Sequence, residues 1–263
     1  MAMEFFINEI LEYDELKEAL RSDPEMAAKG SELAREMIRT NSPVSAEPGL
    51  LPLFILANLA DHTLELHQNL GISHDITVAT LKDVNLWIEN HRAVTGELGL
   101  TNLGWLTGHY LGGLFRLGRL QFVHARAHPV VPSGEYVIEV HIPQGEPLDI
   151  DECMKSFEMA KPFFARLYPD KPAEYFVCGS WLLSPDIPNV TDENSNICRF
   201  MRLWTQLPHN GDKGAQTIER VFGFTFDPAD IASAPENTSL QRRVKAHILA
   251  GGTVESSFGC IKI

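Results

Sequence analysis

Apolar residues recur at helical spacing through the first 115 positions of the 263-residue chain. A first helix is predicted from apolar positions between Phe5 and Leu20, and a second begins at Asp23-Pro24, where aspartate suits the N-cap and proline suits the first turn. Asn41-Ser42-Pro43 ends that second helix. Further helices are predicted over residues 50–69, 75–93 and 105–115.

After Leu117-Gly118 the pattern changes to strands that alternate with helices. Strands are predicted over residues 120–128, 136–142, 173–183, 218–226 and 254–261, and helices over residues 150–167, 195–206 and 239–250. A turn at residues 132–134 joins the first two strands as a hairpin. This order predicts an α+β fold, with a helical domain over residues 1–115 and a mixed α/β domain over residues 116–263.

Acidic residues dominate the first part of the chain. The formal net charge of the whole chain is −13. Residues 1–115 contain 7 Lys/Arg and 17 Asp/Glu, a net charge of −10, and the remainder carries −3. Binding to a nucleic-acid backbone or an anionic membrane depends on cationic residues, so neither partner is expected. We expect a small-molecule substrate instead, and the negative charge would attract a cationic amine.

The N-terminal segment lacks the basic region of a secretory signal, and the longest apolar run, residues 49–60, is too short to span a bilayer. The four cysteines form no CxxC pair, which indicates reduced thiols in a cytoplasmic protein. His124 and His128 lie too far apart on one strand to share an ion easily, and no metal site is predicted.

Ionisable residues gather on the predicted hairpin. Because side chains alternate along a strand, His124, Arg126 and His128 share one face of the first strand, and Glu139 and His141 share one face of the second. A simple register places His128 near Glu139 and Arg126 near His141. Such a face could accept a proton from an attacking amine. The competing interpretation is a solvated sheet face with ordinary cross-strand ion pairs.

Two further groups have both a structural and a chemical interpretation. Cys178 and Ser180 share a strand face, but a cysteine nucleophile needs a neighbouring base, and a buried cysteine is usually a small hydrophobe. A cysteine-dependent hydrolase is therefore a third hypothesis. Asn194-Ser195-Asn196 is a good capping sequence that could also present polar groups to a ligand.

Several stretches resemble a bacterial family of two-part acyltransferases, which have a helical N-terminal domain and a GNAT-like C-terminal domain. The resemblance covers most of the chain and is best from about residue 102 onward. The stretches are FRLGRLQF (115–122), HIPQGEPLD (141–149), SWLLSP (180–185), NSNICRF (194–200) and QRRVKAHILAGG (241–252). The resemblance implies transfer of an acyl group from a thioester, acyl-CoA or acetyl-CoA, to an amine.

The resemblance also implies roles for particular residues. The strand carrying Glu139 and His141 corresponds to the one that supplies the catalytic base, and the loop at residues 142–149 corresponds to the pyrophosphate-binding loop. The cofactor-binding residues expected on this basis and by charge are Arg116, Arg119, Gln144, Gly145 and Asn196. The substrate-binding residues expected are His124, Arg126, His128 and Ser180.

Two departures from the pattern keep a second function open. The loop reads PQGEPLD, with one glycine and an acidic flank, where the fold usually has a basic, glycine-rich loop. The later helix contains no tyrosine between Asn196 and Gln206 that could serve as the acid. These departures favour the alternative of a non-catalytic small-molecule binding or regulatory protein that retains the fold.

Overall fold

The computed structural model describes residues 3–126, 131, 134–209 and 211–263. The chain divides into two compact units, Met1–Leu117 with Pro143–Gly145, and Gly118–Ile142 with Glu146–Ile263. The first is mainly helical and the second is a mixed α/β structure, which confirms the predicted fold class. The domain limits 1–115 and 116–263 remain a prediction.

The first unit begins with a π-helical turn, Phe6–Ile10, and ends with a short strand. Its regular elements are α1 (Asp14–Ser22), α2 (Pro24–Thr40), α3 (Leu51–Asn69), α4 (His74–Leu81), α5 (Asp83–Thr95), α6 (Leu103–Tyr110) and β1 (Leu114–Leu117).

The capping prediction for α2 is confirmed, whereas the single first helix is wrong. Asp23 Oδ1 accepts a hydrogen bond from Met26 N at 2.9 Å. The predicted first helix breaks before α1, where the Asn85 side chain forms hydrogen bonds with the backbone. It accepts from Glu12 N and donates to Ile10 O, and so replaces helical hydrogen bonds at the break.

Two other predicted helices are also divided. Residues 75–93 form α4 and α5 rather than one helix. The helix predicted over residues 105–115 ends at Tyr110, because Gly112 has a φ of +75°, and the chain then becomes β1.

A buried carboxylate joins α5 and α6 within the first unit. Asp83 is 4% exposed and accepts hydrogen bonds from the indole nitrogens of Trp87 and Trp105 at 3.0 and 3.2 Å. His109 Nε2 lies 3.3 Å from the same oxygen. These polar contacts compensate for the burial of the charge.

The second unit contains five strands, five α-helices and two 3₁₀ helices, Trp181–Leu183 and Pro228–Ser233, among its described residues. The elements are β2 (Leu120–Arg126), β3 (Tyr136–His141), α7 (Ile150–Leu167), β4 (Ala173–Ser180), α8 (Ile187–Val190), α9 (Asn196–Met201), β5 (Thr205–His209), α10 (Ala215–Phe222), α11 (Ser239–Leu249) and β6 (Ser257–Lys262). The strands of this unit lie in the order β2-β3-β4-β6-β5. The β3–β4 pair is parallel, and the other pairs are antiparallel.

The segment between α9 and α11 differs from its sequence-based prediction. Residues 218–226 were expected as a strand, but Ile218, Val221 and Phe222 lie at helical spacing on α10, which ends at Gly223 with a φ of +111°. The predicted helix over residues 195–206 stops at Met201, and β5 follows. The sequence of β5, TQLPH, is short and contains proline, and it forms a strand by pairing with β6.

Aromatic residues form the core between the sheet and α7. Phe122 of β2 lies 6.1 Å from Phe157 and 6.4 Å from Phe164 of α7, measured between ring centroids. Phe176 of β4 lies 4.9 Å from Phe157. Because alternate residues point to opposite faces, the neighbouring positions on β2, β3 and β4 lie on the other face of the sheet.

Candidate active site

The two parallel strands at the centre of the sheet separate towards their C-terminal ends. Their pairing ends at Glu139 with Val177, although β3 continues to His141 and β4 to Ser180. Beyond that pair, β3 still pairs with β2, and β4 still pairs with β6. The inner edges of the two strands therefore border a gap in which their backbone groups are not used for β3–β4 pairing.

Glu139 and His141 lie on one face of β3 at this gap. His141 Nε2 is 4.0 Å from Glu139 Oε2, and the two side chains are 32% and 35% exposed respectively. Partial burial raises the pKa of Glu139, because loss of hydration disfavours the carboxylate. A carboxylate with a raised pKa is a stronger base, which suits proton abstraction.

The predicted register of the hairpin is wrong. Arg126 pairs with Tyr136, not His141, while Glu139 lies opposite Val123 and His141 opposite Gln121. Directly paired residues share a face in an antiparallel sheet. His124 and Arg126 therefore lie on the α7 face, opposite to the face that carries Glu139 and His141.

Aromatic rings surround His124 on that face. Its ring stacks on Tyr168 with centroids 4.0 Å apart, and its Nε2 lies 2.8 Å from Lys171 O. The Arg126 guanidinium lies 5.8 Å from the centre of the Tyr136 ring. Both residues thus take part in packing away from Glu139. His128, the third predicted substrate contact of this strand, lies outside the described residues.

The loop between β3 and α7 contains the predicted cofactor contacts Gln144 and Gly145. Both are exposed, and Gly145 has a φ of +101°. Asp149 caps α7, with Oδ1 accepting from Asp151 N at 2.9 Å and Glu152 N at 3.1 Å. The carboxylate thus uses two backbone donors of the kind that bind phosphate at a helix N-terminus.

Arg119, which immediately precedes β2, forms hydrogen bonds with the backbone of the same loop. It is 6% exposed, and its side chain donates to Pro147 O at 2.9 Å and Glu146 O at 2.7 Å. These bonds fix the backbone that precedes α7. Arg116 belongs to the first unit, where its backbone N donates to Thr80 Oγ1 at 2.9 Å. A role for either arginine towards phosphate remains a prediction.

Ser180 is itself a helix-capping residue, and Asn196 directly follows one. The Ser180 side chain is on the α7 face, is 9% exposed, and accepts a hydrogen bond from Leu182 N at 3.2 Å. Ser195 is the N-cap of α9, with its hydroxyl accepting from Cys198 N, which confirms the capping interpretation of this segment. Asn196 is the first, half-exposed residue of α9. Binding roles for Ser180 and Asn196 remain predictions.

Burial argues against the cysteine-dependent reaction. Cys178 is 2% exposed, and desolvation raises the pKa of its thiol to about 12. The reactive thiolate is therefore scarce at neutral pH. Its side chain also lies on the α7 face, away from Glu139 and His141.

A glycine that was not among the predicted site residues marks the strand separation. Gly179 is exposed and follows the last β3–β4 pair by two residues, on the face of Glu139. A Cβ atom at this position would lie 2.7 Å from the Phe258 ring. Glycine inside a strand pattern often indicates such a close approach.

Neither a metal centre nor a membrane span is found in the described part of the chain. No group of three or more His, Cys, Asp and Glu side chains there is arranged to hold a metal ion. Among the described helices, none combines the length and apolar character needed to cross a bilayer.

Comparison with known protein families assigns both parts of the chain. Residues 4–112 match the N-acyltransferase N-terminal domain, and residues 114–261 match the GNAT-like C-terminal domain. The chain belongs to the two-part N-acyltransferase family. Membership of this family confirms the resemblance inferred from the sequence, and it identifies the separating strands as part of a GNAT-like domain.

Solved structures of acyltransferases share the fold of this family member. One in complex with decanoyl-CoA is 26% identical, with a TM-score of 0.82, and the match covers 100% of this chain and 87% of that one. Another, in complex with decanoyl-CoA and teicoplanin, is 25% identical, with a TM-score of 0.79 and coverage of 96% and 89%. No curated protein matches the chain in sequence.

Proposed function

We propose that this chain transfers an acyl group from acyl-CoA to an amine at the gap between β3 and β4. The single observation that carries the proposal is the Glu139–His141 pair beside the last β3–β4 contact, in a chain of the N-acyltransferase family. The acyl-CoA molecules in similar acyltransferase structures support the choice of donor.

In the proposed reaction the amine nitrogen attacks the thioester carbonyl carbon. A C–N bond forms, the C–S bond breaks, and the departing CoA thiolate takes up a proton. Glu139, directly or through one water molecule, accepts the proton that the nitrogen loses. His141 lies 4.0 Å away and assists by hydrogen bonding or by relaying the proton. Backbone N–H groups at the separated edges donate to the carbonyl oxygen.

The acceptor is proposed as a small-molecule amine. One similar acyltransferase structure is in complex with both decanoyl-CoA and teicoplanin, which supports a second small-molecule substrate besides the acyl donor. The excess of acidic residues in the first part of the chain favours a cationic amine. The four cysteines are free thiols, which supports the proposed cytoplasmic location.

A binding test and a turnover test address this proposal in sequence. Millimolar octanoyl- or decanoyl-CoA should raise the melting temperature, since a ligand of the folded state stabilises it by mass action. Thiol release in the presence of a panel of amines should then exceed release without an amine. Absence of both the shift and amine-dependent release would refute the acyltransferase function.

One observation favours the alternative of a non-catalytic binding protein. The carboxylate of Asp149 already occupies the backbone donors of Asp151 and Glu152, and it would repel a pyrophosphate placed at the start of α7. Acyl-CoA must then bind through other donors of the loop, or not at all. Tight binding of a small molecule without amine-dependent thiol release would establish this alternative.

A further inference from the structure

Trp204, between α9 and β5, has a buried hydrogen-bond donor that the described protein atoms do not satisfy. The residue is 5% exposed, and its Nε1 finds no hydrogen-bond partner among the described residues. Buried polar atoms without a partner are rare in folded proteins, and each one calls for a physical explanation. A ligand that supplies the missing acceptor is one such explanation.

The indole lies on the α7 face, close to the separation of β3 and β4. A Cβ atom on Gly259 would lie 2.8 Å from Trp204 Cβ, so the tryptophan packs directly on this glycine of β6. Gly259 pairs with Cys178, the first residue of β4 beyond the last β3–β4 pair. Trp204 is therefore one strand away from the gap.

Helices on the same face complete the surroundings of the indole. Its ring lies 5.8 Å from Phe157 of α7 in an edge-to-face arrangement, and 5.7 Å from Phe200 of α9. The N–H group thus lies in an apolar environment, where a hydrogen bond to a carbonyl is stronger than in water.

We propose that the Trp204 indole N–H donates a hydrogen bond to an amide carbonyl of the pantetheine arm of acyl-CoA. The arm contains two amides separated by methylene groups, so it offers acceptors for a buried donor and apolar segments that suit phenyl rings. This inference rests on the proposed acyl-CoA donor. It assigns Trp204 a binding role, and the chemical step remains with Glu139.

The first experiment compares acyl-CoA binding by the wild type and Trp204→Phe, which removes the donor and keeps an aromatic ring. The dissociation constant should rise about 5- to 10-fold, the usual effect of losing one hydrogen bond. The loss should be equal for acyl-pantetheine, which lacks the nucleotide. Tyr168→Phe, a matched variant at the far end of α7, should bind both ligands as the wild type does.

A second measurement on the wild type avoids any folding defect of the variant. The indole ¹H–¹⁵N signal of Trp204 is one of four in the chain, and it should move downfield when acyl-CoA binds. If the wild type binds acyl-CoA but the Trp204 signal does not move, this inference is overturned and the proposed function stands. The same holds if a folded Trp204→Phe variant binds acyl-CoA with unchanged affinity. Absence of acyl-CoA binding by the wild type overturns the proposed function as well.

Discussion

The two faces of the central sheet have opposite chemical characters, although alternate residues of the same strands supply both. On the α7 face, Phe122 and Phe176 are buried against helical phenyl rings. On the other face, Glu139 and His141 are each about one-third exposed. The comparison shows that the α7 face packs phenyl rings into a core, beside the proposed donor contact of Trp204, while the opposite face presents the ionisable groups proposed for proton transfer. Substitutions on the two faces should therefore have separable effects.

The largest expected effect is on turnover. Glu139→Gln should lower kcat for amine acylation by about 10²- to 10³-fold, because the amide cannot accept the proton. Its melting temperature should stay close to that of the wild type, since the side chain is about one-third exposed and the amide matches the carboxylate in shape. Thiol-release assays and thermal melts measure the two quantities.

A matched control for this variant lies on the exposed side of α7. Glu158→Gln removes a carboxylate of the same unit that forms a surface ion pair with Lys161, at 3.0 Å. Its turnover should equal that of the wild type. Equal turnover in both glutamate variants would remove Glu139 from the mechanism.

Substitutions on the α7 face should change the free energy of unfolding. Phe122→Ala should reduce the free energy of unfolding by about 3–5 kcal/mol, because it leaves a cavity among buried aromatic rings. Val123→Ala, one position along on the other face, should cost about 1 kcal/mol. Denaturant titration measures both values. A similar cost for the two variants would contradict the assignment of the faces.

Much of this arrangement could be predicted from the sequence. The alternation in residues 136–142 placed Glu139 and His141 together, and Asp23 was identified as the cap of α2, because both are local properties. The partners of β3 could not be read in this way. The register puts Arg126 beside Tyr136, and the β3–β4 separation depends on contacts between residues distant in the chain.

The assignment of β5 and α10 failed for a related physical reason. TQLPH has weak strand propensity, and it pairs because β6 offers an edge. Residues 218–226 are rich enough in β-branched and aromatic residues to suggest a strand, yet their apolar positions also fit one turn of helix. Short apolar segments of this kind are ambiguous until tertiary contacts are known.

Raised pH should increase activity through the titration of Glu139. Burial raises the pKa of this carboxyl, and only the carboxylate accepts a proton, so kcat should fall about tenfold per pH unit below that raised pKa. The same shift has a stability consequence of defined sign. The contribution of the protonated Glu139 carboxyl to the free energy of unfolding is fully present below pH 4.5, the usual glutamate pKa. This contribution is lost as pH rises through the raised pKa.

Glu139→Gln provides the test of this pH dependence, because it removes the titrating group. The stability difference between wild type and variant should change between pH 4.5 and the raised pKa, and it should be constant above that range. A stability difference that is the same at every pH would show that the carboxyl is not perturbed by folding.

The smallest expected effect is at Arg126. Arg126→Ala removes an exposed guanidinium that lies over the Tyr136 ring, a contact worth about 0.5–1 kcal/mol. Since the exposed guanidinium lies on the opposite face of the sheet from Glu139 and His141, kcat and the KM for the amine should change less than about 2-fold, within the range of ordinary surface substitutions. A larger rise in the KM for the amine would contradict this prediction and would indicate that Arg126 contacts the acceptor.

The most direct test of the account is a crystal structure with a non-hydrolysable acyl-CoA analogue, in which a methylene group replaces the thioester sulfur. The account predicts that the carbonyl carbon lies in the gap between β3 and β4, with its oxygen on a backbone N–H and Glu139 within reach of an attacking amine. An analogue bound elsewhere, with Glu139 far from the carbonyl carbon, would contradict the account.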